Sequence, residues 1–319
     1  MRIIDLHCDT VTKIYNDGQS LYDNNCHLSI KKMLQADYMM QCFAVFVHLK
    51  DTDSPYLQCL KFIDHFKKEM ENNKNYIRQV YCYDDLIKNI DDNVLSALLT
   101  VEEGATIEGD LKKLENLYDS GVRMMTLTWN FENEIGHPNH MADSESWKEE
   151  IEKGLTDFGK EVVRKMNELG MIIDVSHGSD KLFYDVIELS DKPIVASHSN
   201  SREVYYCPRN LTDEMLLKLK KNGGVTGINY CPSFVSKEAD IDQIPMIVKH
   251  IRHIVDVAGI ETVALGSDFD GIETPTTLSD CSKMTLLTHA LRNEGFSEDD
   301  IDKIYYKNFL RVFSKNCKK

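Results

Sequence analysis

The amino-acid sequence predicts an α/β fold, a single (β/α)₈ TIM barrel. Eight apolar segments of strand length recur along the 319 residues, and most are followed by a stretch with helical features. Strands covered on both faces are typically continuous apolar runs, and their alternation with helices indicates a parallel sheet. Eight is the strand number that closes such a barrel. No Pro-, Gly- or Ser-rich linker divides the chain, so we predict one domain over residues 1–319, with an open doubly wound sheet as the alternative.

The predicted strands are residues 2–9, 41–49, 96–102, 123–129, 171–177, 193–198, 224–230 and 262–268. Helices are predicted from their end signals: the N-cap and first-turn proline of Ser54-Pro55, the capping box of Ser297 and Asp300, and glycines that close other helices. These helices are residues 55–72, 111–120, 155–169, 215–221, 244–258 and 297–313. Of two longer connections, 15–38 and 131–153, the second is polar and is predicted to be a lid.

Composition excludes several classes of function. The chain has 52 acidic and 37 basic residues and a formal net charge of −15, which argues against binding to nucleic acid or to anionic membranes. The first residues contain no signal-peptide apolar region, and no run of about 18 apolar residues occurs, so the expected location is the cytoplasm. The nine cysteines are scattered without a CxxC pair and are predicted to be reduced.

Side chains able to bind metal fall at the ends of five predicted strands. They are His7, Asp9, Glu102, His177, His198 and Asp268. In a barrel these strand ends form one face, where active sites are built. Burying several carboxylates and imidazoles together without a cation would be expensive, so we predict a metal centre. Nitrogen and oxygen ligands without thiolate suit Zn²⁺, with Mn²⁺ or Co²⁺ as alternatives.

Several motifs together resemble those of a known family, the membrane (renal) dipeptidases and their bacterial relatives within the metal-dependent amidohydrolases. In chain order they are DLHCDT, TVEEGATIEGDL, GVRMMTLTWN, GLTDFGKEVV, IIDVSH, SHSNSREVYYCPRN, GSDFDG and NFLRVF. The resemblance extends over nearly the whole chain, and the SHS…PRN and GSDFDG segments are its most specific parts.

The resemblance implies a zinc-dependent dipeptidase, a metallopeptidase with a binuclear zinc site. His7 and Asp9 would bind one ion, His177 and His198 the other, and Glu102 would bridge the two. The ions would lower the pKa of a shared water, which would attack the peptide bond of a small dipeptide with a free C-terminal carboxylate. Whether a D-residue is accepted at the second position is left open. The animal relatives are dimers, so the resemblance also implies a homodimer.

Further roles are implied residue by residue. Asp268 would act as general acid and base, and Arg209 would hold the substrate carboxylate with its forked guanidinium. Trp129 stands where the animal enzymes carry a substrate-contacting histidine.

A second departure lies where family members often have a tyrosine after an Asn-aromatic pair. Here the chain reads Asn229-Tyr230-Cys231, and we predict these three residues, with Trp129, to contact substrate. His137 in the polar loop is a candidate to replace the missing histidine, and it and His140 are otherwise expected to be solvated.

Two other functions remain as alternatives. The first is a different amidohydrolase reaction, such as deamination or hydrolysis of a lactone or phosphoester; such relatives commonly show HxH on the first strand or a bridging lysine. This chain has His7-x-Asp9 and Glu102 instead. The second is a non-catalytic barrel, which a purified protein without tightly bound divalent metal would support.

Overall fold

The structure is a computed structural model that describes residues 2–139, 151–237 and 242–317. The described strands are β1 (Ile3–Cys8), β2 (Tyr38–Phe46), β3 (Ile77–Gln79), β4 (Leu95–Glu102), β5 (Met124–Thr126), β6 (Ile172–Asp174), β7 (Val195–Ala196), β8 (Val225–Ile228) and β9 (Val263–Leu265). All their pairings are parallel, in the ring order β1-β2-β4-β5-β6-β7-β8-β9. The ring closes where Asp5 of β1 pairs with Leu265 of β9. The predicted eight-stranded barrel is confirmed, and the open sheet is excluded.

Strand β3 lies outside this ring and was not predicted. It pairs with the first half of β4, from Ile77 with Leu95 to Gln79 with Ala97. Strand β5 pairs with the second half of the same edge of β4, beginning with Thr100 and Met124. With three residues, β3 is too short to show a period in the sequence.

The described helices surround the barrel. They are α1 (Thr10–Asp17), α2 (Ile30–Gln35), α3 (Pro55–Asn72), α4 (Tyr83–Asp91), α5 (Leu111–Asp119), α6 (Asp157–Leu169), α7 (Asp180–Leu189), α8 (Asp213–Asn222), α9 (Pro232–Val235), α10 (Ile244–Ala258), α11 (Met284–Asn293), α12 (Glu298–Asp302) and α13 (Asn308–Asn316). The predicted end signals are confirmed: the Ser54 hydroxyl accepts from the backbone N–H of Leu57, and Ser297 and Asp300 form the capping box. None of the helices in the described ranges combines the length and the apolar character needed to cross a bilayer.

The interior of the barrel is layered. Alternate strand residues point inward, and the lower layer is apolar, with Met124, Ile172, Val195 and Val225 in one cluster. Helix α13 closes this lower end, because its Phe309, Val312 and Phe313 belong to the same buried cluster. Above the apolar layer the inward positions are polar. The chemistry of the barrel is therefore confined to the end where the strands finish.

A buried carboxylate in this polar layer explains why strands β6 and β7 are shorter than predicted. Asp174 Oδ1 accepts from the backbone N–H groups of Ser176 (3.0 Å) and Ser197 (2.8 Å). Its Oδ2 accepts from the hydroxyls of Thr126 (2.7 Å) and Ser197 (2.5 Å). Buried backbone donors need a partner, and here a side chain replaces the neighbouring strand. Strands β6 and β7 therefore end two or three residues before their site histidines.

A second carboxylate acts in the same way on the opposite side of the barrel. Asp5 Oδ1 accepts from the backbone N–H groups of His7 (3.2 Å) and Ser267 (2.9 Å). Burial raises the pKa of Asp5 to about 6, although the hydrogen bonds from Ser267 and His7 oppose the shift. Like Asp174, Asp5 fixes the backbone directly before a site residue, in this case Asp268.

Candidate metal centre

The structure brings the six predicted metal-capable side chains together at the carboxyl ends of the strands. Glu102, the last residue of β4, lies among three imidazoles. Its Oε1 is 3.1 Å from His177 Nε2 and 3.5 Å from His198 Nε2, and its Oε2 is 3.3 Å from His7 Nε2. One carboxylate therefore faces a histidine pair with one oxygen and a third histidine with the other.

The remaining two acids lie on the His7 side of the cluster. His7 Nε2 is 3.4 Å from Asp9 Oδ2 and 3.8 Å from Asp268 Oδ1. The ligand atoms of His7, Asp9 and Asp268 fall within 4.8 Å of one another, as do those of His7, Glu102 and His198. All these residues are buried. The arrangement offers two adjoining groups of potential ligands that share His7.

Hydrogen bonds behind the histidine pair determine which nitrogen faces the cluster. His177 Nδ1 lies 2.9 Å from the Asn130 side-chain oxygen, which accepts its proton. His198 Nδ1 lies 2.6 Å from Ser197 Oγ, whose own hydrogen is donated to Asp174. In this assignment of tautomers both Nε2 atoms carry lone pairs. Carboxylate-backed contacts of this kind orient metal-binding histidines.

The geometry fits a bound cation. The two Nε2 atoms of His177 and His198 are only 3.0 Å apart, so in this assignment of tautomers their lone pairs converge on one point, which suits a shared cation. His7 Nε2 and Asp9 Oδ1 are buried and lack a hydrogen-bond partner among the described residues. Buried polar atoms are rarely left unpaired unless an ion or water serves them. The donor set of imidazoles and carboxylates therefore fits a divalent metal.

Electrostatics prepare the cluster for a cation. Burial alone would raise the pKa of Glu102, but the charge of His7 and the close contacts of the histidine rings hold it well below its usual range. Burial, helped by the charge of Arg209, lowers the pKa of His177 to about 4. Burial and the nearby charge of Glu102 raise the pKa of Asp9 to about 7. Glu102 is thus ionised and His177 neutral at pH 7, which are the states in which a carboxylate and an imidazole bind metal.

The backbone at the strand ends is held in an unusual conformation. His177 (φ 67°) and Asp268 (φ 64°) lie in the left-handed region, which costs about 1–2 kcal/mol for a residue with a Cβ. Such outliers concentrate at functional sites. Gly271 is required nearby, because a Cβ there would come within 2.2 Å of Asp9 Oδ2 and 2.7 Å of Asp268 Oδ1.

A buried guanidinium lies beside the cluster. Arg209 is 5% exposed, and its two amino groups donate to His198 O (3.2 Å) and Ser199 Oγ (3.4 Å). Its Nε has no hydrogen-bond partner, and no carboxylate of the described residues forms an ion pair with it. Burial lowers the pKa of Arg209, but arginine remains charged in proteins. A buried cation without a counter-charge in contact is costly, so this position suits an anionic ligand group.

A family model described as membrane dipeptidase (peptidase family M19) matches residues 1–318. The chain belongs to this family. As a family member it is a metal-dependent dipeptidase.

Related proteins support this family assignment. An uncharacterised dipeptidase of Schizosaccharomyces pombe is 33% identical over 303 residues, which cover 91% of this chain and 72% of that protein. The crystal structure of dipeptidase AC, a family M19 metallopeptidase, superposes with a TM-score of 0.89 at 24% identity over 99% of both chains. A Rhodobacter sphaeroides metallopeptidase, solved with a phosphinate mimic of the dipeptide L-Ala-D-Ala, superposes with a TM-score of 0.88 at 23% identity over 99% of both chains. At these identities the two structures show a shared fold.

The predicted substrate contacts of this dipeptidase are only partly brought together. A cavity of about 570 Å³ opens over the metal centre and is lined by Trp129 and Cys231, among others. Asn229 lies beneath it and donates to Asp268 Oδ2 (2.9 Å). Tyr230 does not reach the cavity: it is fully buried, with its hydroxyl 3.8 Å from Met284 Sδ. Its prediction as a substrate contact is not supported, because the chain after β8 turns this side chain into the outer core.

The polar loop also differs from the hypothesis. His137 contacts Glu132 (Nε2 to Oε1, 3.5 Å) and does not line the cavity, so its placement gives no support for a catalytic role. His140 and much of the predicted lid fall in residues 140–150, outside the described residues.

Four residues that matter to the site were not predicted: Asn130, Ser197, Asp174 and Phe46. Asp174 carried a signal, since a charged residue inside the apolar run MIIDVS is expected to have a buried partner. Asn130, Ser197 and Phe46 carried none, because their roles depend on contacts between segments distant in sequence.

Proposed function

We propose that this dipeptidase hydrolyses dipeptides with a free C-terminal carboxylate at a centre that holds two Zn²⁺ ions. One observation carries the proposal: Glu102 lies between a histidine pair and His7, and Arg209, whose Nε lacks a hydrogen-bond partner among the described residues, is buried beside them. His7 and Asp9 would hold one ion, His177 and His198 the other, and Glu102 both. Mn²⁺ and Co²⁺ are the alternatives that the same donors allow.

Different side chains would carry out different parts of the reaction. When bound, two such ions supply Lewis acidity, which lowers the pKa of a water and polarises a carbonyl. Asp268 would take the proton of the attacking water at a carboxylate oxygen and pass it to the amide nitrogen of the leaving residue. Asn229 holds Asp268 Oδ2 and leaves Oδ1, which faces the cluster, for this transfer.

Arg209 would select the substrate's length. Its planar fork matches a carboxylate better than a single ammonium does. In a longer peptide a neutral amide would stand at this point, and the buried guanidinium would lose its counter-charge. The site is therefore specific for dipeptides. The homodimer and the cytoplasmic location expected from the sequence remain predictions.

The test is removal and replacement of the metal. We expect the chelated protein to be inactive and activity to return with Zn²⁺, Mn²⁺ or Co²⁺ on a panel of L,L- and L,D-dipeptides. Metal analysis of the active protein should give two ions per chain. Ala-Ala amide and Ala-Ala-Ala serve as controls that lack a carboxylate at the right distance. Failure to cleave any dipeptide with any of the three ions would contradict the proposal, and a single ion at full activity would contradict the binuclear centre.

Replacement of Arg209 tests the carboxylate contact. Arg209→Ala is expected to raise KM for Ala-Ala at least ~30-fold, because truncating one member of a buried charge pair costs about 2 kcal/mol or more. Arg209→Lys keeps the charge but loses the fork and should recover only part of the affinity. Steady-state kinetics on Ala-Ala and Ala-Ala amide measure both effects. A normal KM in Arg209→Ala, or an unchanged preference for the acid over the amide, would show that another group binds the carboxylate.

A further inference from the structure

The cavity above the metal centre has an aromatic wall, formed by Phe46 and Trp129. Their ring centroids are 5.0 Å apart, and both line the cavity. His48 and Phe131 pack behind Trp129, at 5.3 and 5.5 Å. Trp129 also lies 6.1 Å from the ring of His177. An apolar surface thus borders a site whose other features are polar.

The wall is fixed in place. The backbone N–H of Trp129 donates to the buried carboxylate of Glu103 (3.3 Å), which also accepts from the side chain of Asn133 (2.6 Å). The backbone N–H of Phe46 donates to the hydroxyl of Thr12 (3.3 Å). These contacts fix the main chains of both aromatic residues, and the packing of their rings against each other and against His48 and Phe131 makes the surface preformed.

Phe46 and Arg209 lie on opposite sides of the barrel, and Trp129, which follows β5, lies between them around the ring. Phe46 is the last residue of β2, and Arg209 follows β7, which is four strands away in the eight-stranded ring. Glu102 and its histidines lie between them. A dipeptide is about 7 Å long when extended. With its carboxylate at Arg209 and its scissile bond at the cluster, its first residue must point towards Phe46 and Trp129.

Resting on the proposed function, we propose that Phe46 and Trp129 form a subsite for the side chain of the N-terminal residue and select dipeptides in which that side chain is apolar or aromatic. A hydrophobic pocket of this kind discriminates by about 10- to 200-fold for a modest change of side chain. Asp9, Glu102 and Asp268, the nearby carboxylates, would add repulsion against an acidic first residue.

The test compares substrates that differ only in the first residue. Leu-Ala and Asn-Ala have similar size and opposite polarity, and Phe-Ala and Gly-Ala extend the range. We expect kcat/KM to be at least ~10-fold higher for Leu-Ala than for Asn-Ala, with Phe-Ala also above Gly-Ala. The reversed pair, Ala-Leu and Ala-Asn, should show a smaller ratio, because the second side chain lies towards Arg209.

Two variants assign the preference to the wall. Trp129→Ala should bring the ratio of kcat/KM for Leu-Ala to that for Asn-Ala close to one. Trp129→His should also lower this ratio, although a ring of the kind found in the animal enzymes still occupies the position. Tyr83→Ala removes an exposed aromatic ring from α4 and should leave the ratio unchanged. Thermal unfolding confirms that each variant is folded.

The outcomes separate the two proposals. If dipeptides are hydrolysed at rates that do not depend on the first residue, or if both Trp129 variants keep the wild-type ratio, the subsite is wrong and the dipeptidase proposal stands. If no dipeptide is hydrolysed, the proposed substrate class fails and the subsite fails with it.

Discussion

Asp268→Asn is expected to lower kcat by at least ~100-fold while both metal ions remain bound. Loss of a general acid or base typically costs this much, because a proton must then move to or from water without a positioned partner. Asparagine has the same shape, and its side-chain oxygen can still accept from Asn229, so the backbone turn at this position should persist. Kinetics on Ala-Ala and metal analysis of the same preparation measure the two quantities.

The control for Asp268→Asn is Asp23→Asn. Asp23 is an exposed carboxylate that pairs with Lys31, and neither residue lines the cavity. This control variant should retain wild-type kcat, which would show that loss of one acidic charge does not by itself lower kcat. If Asp268→Asn keeps kcat within a few-fold of the wild type, another group must move the proton. If it loses metal, Asp268 is a ligand instead of a proton carrier.

Glu102→Gln is expected to weaken metal binding by at least ~100-fold and to abolish activity. The carboxylate places an oxygen near each part of the cluster, 3.1 Å from His177 Nε2 and 3.3 Å from His7 Nε2. Glutamine removes the negative charge and turns an N–H₂ group towards one of these sides. Mutation of residues that only support metal ligands typically lowers metal affinity by about 10- to 100-fold. Loss of Glu102, the ligand proposed to be shared, should lower it further. Competition with a chelator measures the affinity.

The neighbouring glutamate provides a matched control. Glu103 is also buried, but its oxygens accept from Ala105 N (2.8 Å), Asn133 Nδ2 and Trp129 N, and they face away from the histidines. Glu103→Gln should lower thermal stability yet keep both ions. If Glu102→Gln holds two ions as tightly as the wild type, Glu102 is not a shared ligand and the arrangement of the centre must be revised.

The sequence was most informative at positions where the residue type allows few structural interpretations. Apolar runs between helix-end signals predicted the eight barrel strands, and charged or imidazole side chains at their ends predicted the metal cluster, because such groups are seldom buried without a purpose. Some helices were missed although they carry end signals, such as the capping box of α4 and Gly295 after α11, and so was the three-residue β3. Ser197 and Asn130 could not be predicted, since serine and asparagine are common and only the folded chain brings them to His198 and His177.

Tyr230 illustrates the limit of a prediction based on neighbouring positions. It lies between Asn229, which supports Asp268, and Cys231, which lines the cavity, yet its own side chain enters the core. A difference of one residue in an irregular turn changes the direction of a side chain completely. No periodic rule applies beyond the end of a strand.

Helix α13 has a consequence for the order in which the protein is made. It seals the lower barrel with residues up to Asn316, while the metal cluster combines His7 with Asp268. On the ribosome, β1 waits with an unpaired edge until β9 emerges, and the interior stays open until α13 follows. Contacts so distant in sequence form late and slowly. We therefore expect stable metal binding only after β9 and α13 have been made, because until then the ring that holds His7 and Asp9 against Glu102 and the histidines is not closed.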